Sequence, residues 1–126
     1  MNFSSVCEWQ PLFPSDGLRI VPYGPEHAIA FRDLNLAWIR KYFVVEERDA
    51  RDLGDPERYI LSPGGYIFMA ELRDDVVGTC ALMQESEGVF ELAKMTVAES
   101  ARGLGVGRAL GDAALAHACA IGARRV

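Results

Sequence analysis

The period of apolar positions along the chain changes twice. Leu18, Ile20 and Val21 open a short first strand over residues 18–23, with Pro22 confined to its end because proline cannot donate to a sheet ladder. Pro25 and Glu26 then suit the first turn of a helix, the one by its fixed φ and the other by its charge near the positive pole. Ala30, Phe31, Leu34, Ala37, Trp38 and Tyr42 follow at helical spacing and predict a helix ending near Tyr42. Residues 46–61 are charged and helix-permissive, and Gly54-Asp55-Pro56 breaks them and restarts a second short helix before Ser62-Pro63-Gly64-Gly65.

From Tyr66 the period becomes two. Strands are predicted over 66–72, 76–83 and 89–98, joined by a tight turn at Arg73-Asp74-Asp75 and a second turn at 84–88. Residues 99–107 read as a loop and 108–122 as an alanine-rich helix, with Leu110, Ala113, Ala114, His117 and Ile121 on one face. Residues 123–126 read as the opening of another strand. The order of strand, two helices, meander, helix and strand predicts an α+β domain with a mixed, mainly antiparallel sheet flanked by helices. Residues 1–17, with Pro11, Pro14, Ser15, Asp16 and Gly17, read as an N-terminal extension to a domain spanning 18–126.

Composition narrows the function classes. A chain of 126 residues with half its positions apolar is sized for one core. Its net charge of -5 gives no global reason to bind nucleic acid and favours a cationic substrate over a polyanion. An anionic cofactor therefore needs a local device. Cys7, Cys80 and Cys119 are odd in number and widely spaced, which is neither a disulfide framework nor a zinc site. Cys80 and Cys119 read as small buried hydrophobes, and Cys7 as part of the tail. The isolated His27 and His117 read as surface or satisfied helix residues, and no metal is implied. No run of about 18 apolar residues and no signal segment stands out, so no membrane role and a cytoplasmic location are expected.

The informative stretch is Val97-Ala98-Glu99-Ser100-Ala101-Arg102-Gly103-Leu104-Gly105-Val106-Gly107-Arg108. A strand runs into a glycine-rich turn, and the turn into a helix. Glycines allow unusual dihedrals and close approach of a ligand, and the amides of such a turn converge with the unpaired N–H groups of a helix start. That is a cradle for a pyrophosphate, and Arg102 and Arg108 supply local positive charge. No Gly-Lys-Ser/Thr triplet exists for a Walker A loop, and Gly103, Gly105 and Gly107 are misplaced for a dinucleotide fingerprint.

Arg102-Gly103-Leu104-Gly105-Val106-Gly107 resembles the R/Q-x-x-G-x-G/A signature of the GNAT superfamily of N-acetyltransferases. The hairpin 66–83, the strand phrase Glu91-Leu92-Ala93-Lys94-Met95-Thr96-Val97 and the small-residue helix stand in that family's order. The resemblance implies the GNAT acyl-CoA N-acyltransferase fold and acetyl-coenzyme A as donor to a small-molecule or peptide amine. It implies that the Met95 and Val97 backbone pairs with the pantetheine arm. It further implies that Arg102, Gly103, Leu104, Gly105, Val106, Gly107 and Arg108 hold the pyrophosphate, and that β pairing breaks after Met95.

Glu91, on the same strand and six residues before Val97, is the candidate general base. Even spacing across the strand puts Glu91, Ala93, Met95 and Val97 on one face and Leu92, Lys94 and Thr96 on the other. The competing reading makes Glu91 a solvated charge paired with Lys94 or Arg124. None of Tyr23, Tyr42, Tyr59 and Tyr66 stands where the family places its acid. On the acceptor side, Phe31, Trp38, Tyr42 and Phe43 with Glu46, Glu47, Asp49 and Asp52 suit a cationic amine, or else form a core stripe and a solvated helix face. By the same resemblance the domain stops after the start of its fifth strand, which leaves an open sheet edge. That edge makes the chain a fragment, or one completed by a partner copy, with a homodimer possible; alone it is expected to be poorly stable and weakly active. A non-catalytic coenzyme A-binding module would need the glycine turn but not Glu91.

Overall fold

The computed structural model describes residues 17–126; Cys7 and the rest of the predicted extension, residues 1–16, lie outside them. Strand β1 (Leu18–Pro22) is followed by a 3₁₀ turn, Pro25–His27, and helix α1 (Ala28–Tyr42). Helix α2 (Glu47–Gly54) comes next, then β2 (Tyr66–Leu72), β3 (Asp75–Ser86), β4 (Val89–Val97) and helix α3 (Val106–Ala120). The short helix expected after Pro56 is a single π-helical turn, Glu57–Leu61. The sheet has the order β1-β2-β3-β4 with antiparallel neighbours throughout.

Local sequence explains the boundaries. Arg73 and Asp74 both take positive φ, 51° and 73°, as a two-residue hairpin turn requires, so β3 starts at Asp75 rather than Val76. The N-cap of α3 is Gly105 at φ 79°, so the helix begins at Val106, two residues before the expected Arg108. Buried His27 is a satisfied helix residue: its Nδ1 accepts the Gly24 N–H at 2.9 Å, and its Nε2 lies 3.9 Å from Glu71 Oε2. Asp49 accepts the Glu46 N–H at 3.1 Å and so starts α2.

Each face of the sheet carries its own core. Cys80, Leu82 and Phe90 meet Val106, Leu110, Ala114 and Ala118 of α3. On the other face, Ile67, Met69 and Ala81 meet Phe31 and Ile39 of α1, Leu53 of α2 and Ile60 of the π turn. Burial of each Leu, Ile or Phe contributes about 1.5–3 kcal/mol. Alanines let α3 lie close to the sheet. A Cβ at Gly78 would come within 3.0 Å of both Leu110 Cδ1 and Val106 Cγ1, so glycine in β3 sets that distance. Of the face predicted for the last helix, Leu110, Ala113 and Ala114 are buried, whereas Ile121 is 40 % exposed beyond the helix end.

Burial pushes the Cys80 thiol up to about 12, which makes it an inert core residue, as the sequence reading expects. Cys119 departs from that reading, because it is disulfide-bonded and not a plain buried hydrophobe. Over 123–126, where a strand is expected, there is no strand but a single parallel bridge between Val89 and Arg125, with the Phe90 N–H donating to the Arg125 carbonyl at 2.9 Å.

His117 lies edge-on to the Tyr66 ring at 4.3 Å, and its Nε2 is buried without a hydrogen-bond partner. Burial lowers its pKa below 6.5. Below the unfolded value the unfolded chain binds a proton that the folded chain refuses, so this contribution to stability is present above pH 6.5 and is lost as pH falls from there toward the lowered folded value. His117→Phe is expected to flatten the fall in melting temperature between about pH 7.5 and 5.5. An unchanged slope would remove His117 as its source.

Candidate functional site

The glycine turn is built by conformation before chemistry. After Val97 the chain makes a short 3₁₀ turn, Glu99–Ala101, closed by the Ala101 N–H on the Ala98 carbonyl at 2.9 Å. Gly103 and Gly105 then adopt left-handed φ of 82° and 79°. A Cβ at either would meet nothing within 4 Å, so the backbone there faces open space. Helix α3 has no side-chain cap, and the Ala109 N–H donates to the Gly105 carbonyl at 3.0 Å. The amides of Gly105, Val106 and Gly107 therefore belong to the helix turn that lacks intrahelical acceptors, at the positive end of the dipole. Arg102 and Arg108 are both exposed beside it, and Arg108 Nε lies 4.0 Å from Asp112 Oδ2. Lys41, in the last turn of α1, pairs with Glu99 and ties α1 to the start of this turn.

Strand β4 lies at the sheet edge. The Ala98 N–H points inward to the Val77 carbonyl at 2.8 Å, and the Phe90 N–H points outward to Arg125. Main-chain groups alternate along a strand, so Val97 and Met95 direct their N–H and C=O outward, as do Leu92 and Phe90. Outward groups fall on even numbers early in β4 and on odd numbers late in it because the strand carries a bulge. Ala93 pairs with Ala81 and Thr96 with Thr79, which leaves Lys94 and Met95 together opposite Cys80.

The bulge corrects the expected faces. Glu91 opposes Met83 and Ala93 opposes Ala81, on the side of α1 and α2. Val97 packs in the α3 core, and the Met95 side chain reaches toward Gly111 of α3. Glu91 and Ala93 thus share a face with Lys94 and Thr96, and not with Met95 and Val97.

Glu91 is exposed, and its pKa is raised first by a hydrogen bond with the carboxyl of Glu85, then by desolvation and the Glu85 charge. Arg48 and Lys94 act in the opposite direction. Two carboxyls sharing a proton put one of them nearer to neutral pH, where a base works best. Lys94 does not pair with Glu91. Its Nζ lies 3.7 Å from Asp49 Oδ1 and 3.5 Å from Asp52 Oδ2. Arg124 instead donates to the Glu87 carbonyl at 2.7 Å.

The acceptor-side residues separate. Phe31 is wholly buried in the core, while Trp38, Tyr42 and Phe43 stack in the open at ring distances of 5.5 and 5.3 Å. Glu46 and Glu47 are exposed, but Asp52 is buried and neutralised rather than solvated. The sequence reading missed Glu85 and gave Lys94 the wrong partner. The one signal was Lys94 itself, a charge that interrupts the apolar alternation of β4.

Comparisons with known proteins bear on the family and the fold. The acetyltransferase (GNAT) family profile matches residues 27–126. A GNAT-family acetyltransferase from Staphylococcus aureus Mu50 superposes with a TM-score of 0.72 at 23% identity, over 82% of this chain and 66% of that one. An acetyltransferase from Streptococcus agalactiae 2603 gives 0.69 at 26% identity, over 84% and 68%. Glucosamine-6-phosphate N-acetyltransferase from Arabidopsis thaliana gives 0.63 at 15% identity, over 86% and 79%. The chain thus spans about two thirds of the length of the first two. No curated protein sequence matches. Among the described residues, no helix is long and apolar enough to cross a membrane.

Proposed function

Because this chain belongs to the acetyltransferase (GNAT) family, we propose that it transfers the acetyl group of acetyl-coenzyme A directly to an amine within a ternary complex. The observation that carries the reading is a succession of outward strand groups, left-handed glycines and an uncapped helix start, with the Ala98, Ala101 and Arg102 N–H groups between them bonded internally. The outward groups of Met95 and Val97 lead into the left-handed Gly103 and Gly105, and these into the first turn of α3. An extended pantetheine arm pairs with the former as an added strand, and the pyrophosphate rests on the latter. Arg102 and Arg108 add positive charge at that end, in a chain whose net charge is -5.

The acceptor approaches from the side of α1 and α2. There Glu91 takes a proton from the ammonium through water, and the neutral amine attacks the thioester carbonyl. The tetrahedral intermediate gives up its second N–H proton to water and collapses, the C–S bond breaks, and the thiolate leaves to be protonated by solvent. The exposed Trp38, Tyr42 and Phe43 and the carboxylates of Glu46 and Glu47 suit an amine with an apolar body.

Release of free coenzyme A thiol, followed with a panel of primary amines, tests the proposal. Amine-dependent release supports it, and release that no amine stimulates, from a chain that binds acetyl-coenzyme A, opposes it. The pH profile gives a finer test. Glu85→Gln removes the charge that helps hold Glu91 up, so the acid limb of kcat/KM is expected to move to lower pH while the plateau stays. An acid limb that does not move would separate Glu85 from the base.

A further inference from the structure

Lys94 stands where β4 carries an extra residue in its ladder with β3. It takes a left-handed φ of 53°, which is unfavourable for a residue carrying a Cβ. Its side chain is 15% exposed and reaches Asp49 and Asp52 of α2. The Asp52 side chain is 8% exposed, and its Oδ2 has no hydrogen-bond partner. Lys94 Nζ at 3.5 Å and Arg48 Nε at 3.9 Å neutralise that oxygen.

The ion pair and the bulge require each other. Ala93 faces the side of α1 and α2. In a regular strand the next residue points to the opposite face, toward α3. Lys94 could not then reach α2. The bulge repeats the Ala93 face at Lys94, and only so does the ammonium meet Asp52. The same step reverses the outward-pointing amides. A regular β4 would offer Leu92, Lys94 and Thr96 at the open edge, whereas the bulged strand offers Leu92, then Met95 and Val97.

We infer that Lys94 is a positioning residue: its ion pair with Asp49 and Asp52 selects the bulged register and thereby aims the Met95 and Val97 backbone at the cofactor edge. Lys94 touches neither donor nor acceptor in this role. The inference rests on the proposed cofactor site for its consequence, but the register itself can be read without any ligand.

Two double variants separate backbone register from charge. Lys94→Met with Asp52→Asn removes both charges and leaves a residue that disfavours positive φ. Lys94→Gly with Asp52→Asn removes the same charges but favours the left-handed conformation. The readouts are amide exchange at Thr96, whose N–H points inward to β3 in the bulged register, and calorimetric affinity for acetyl-coenzyme A. In the methionine variant, Thr96 exchange is expected to accelerate at least tenfold and affinity to fall at least tenfold. In the glycine variant both are expected to stay within about threefold of the unmodified chain. A folded methionine variant with unchanged Thr96 exchange would overturn the inference, and so would equal impairment of the two variants. If the unmodified chain fails to bind acetyl-coenzyme A, the cofactor reading falls, and the exchange data alone still decide the register.

Discussion

Gly105→Glu is expected to weaken acetyl-coenzyme A binding at least a hundredfold while the chain stays folded. Gly105 is the N-cap of α3 at φ 79°, and a Cβ there meets no atom within 4 Å. The fold therefore has room for a side chain, and the cost of a left-handed φ there is about 1–2 kcal/mol. The ligand has no such room, because the open space above Gly105 is where the helix start and its amides converge. A carboxylate placed there meets the pyrophosphate at close range. Two like charges about 4 Å apart repel by roughly 4 kcal/mol at an effective dielectric of 20, and a hundredfold loss needs only about 2.8 kcal/mol. Gly105→Ala isolates backbone strain and bulk from charge and is expected to cost about tenfold or less. Calorimetric titration of the three proteins, with a thermal melt of each, gives the comparison. Equal affinities would leave the glycine turn as a turn only.

Glu91→Gln is expected to lower turnover by about 10²–10⁴-fold, the usual share of a general base, and to leave acetyl-coenzyme A affinity within about twofold. The split follows from the bulge. Glu91 lies on the face of α1 and α2, and the outward backbone of Met95 and Val97 lies on the strand edge, so the substitution touches the acceptor side alone. The raised pKa of Glu91 has a stated cause in Glu85, and glutamine keeps the shape while losing the proton-accepting role. Steady-state kinetics beside a direct binding titration checks both halves. Unchanged turnover would assign the proton to solvent and make Glu91 a surface carboxylate.

Much of this arrangement is legible in the sequence. The helical stripe of 28–42, the switch to period two at Tyr66 and the glycines at 103 and 105 correspond to α1, the meander and the turn before α3. The hairpin at Arg73 and Asp74 is legible because short turns have strong local preferences. The start of α3 is displaced because a glycine at positive φ serves as a cap, whereas glycines in a row read as loop.

The bulge in β4 is a different matter. It adds one residue without altering composition, and strict alternation drawn across it assigns Met95 and Val97 to the wrong face. Side-chain partners that depend on register are hidden for the same reason. Glu85 meets Glu91 across a second irregularity between Gln84 and Ser86, and Lys94 meets Asp52 only because the ladder slips. The acidic residues of α2 are visible as a cluster, but their neutralisation from the neighbouring strand is not.

Amide exchange of the chain with and without acetyl-coenzyme A tests the central claim most directly. The account predicts slowed exchange confined to the outward amides of Met95 and Val97 and to the turn from Gly103 to Gly107, with Thr96 unchanged. Protection elsewhere, or none at all in a folded chain at saturating acetyl-coenzyme A, would contradict it.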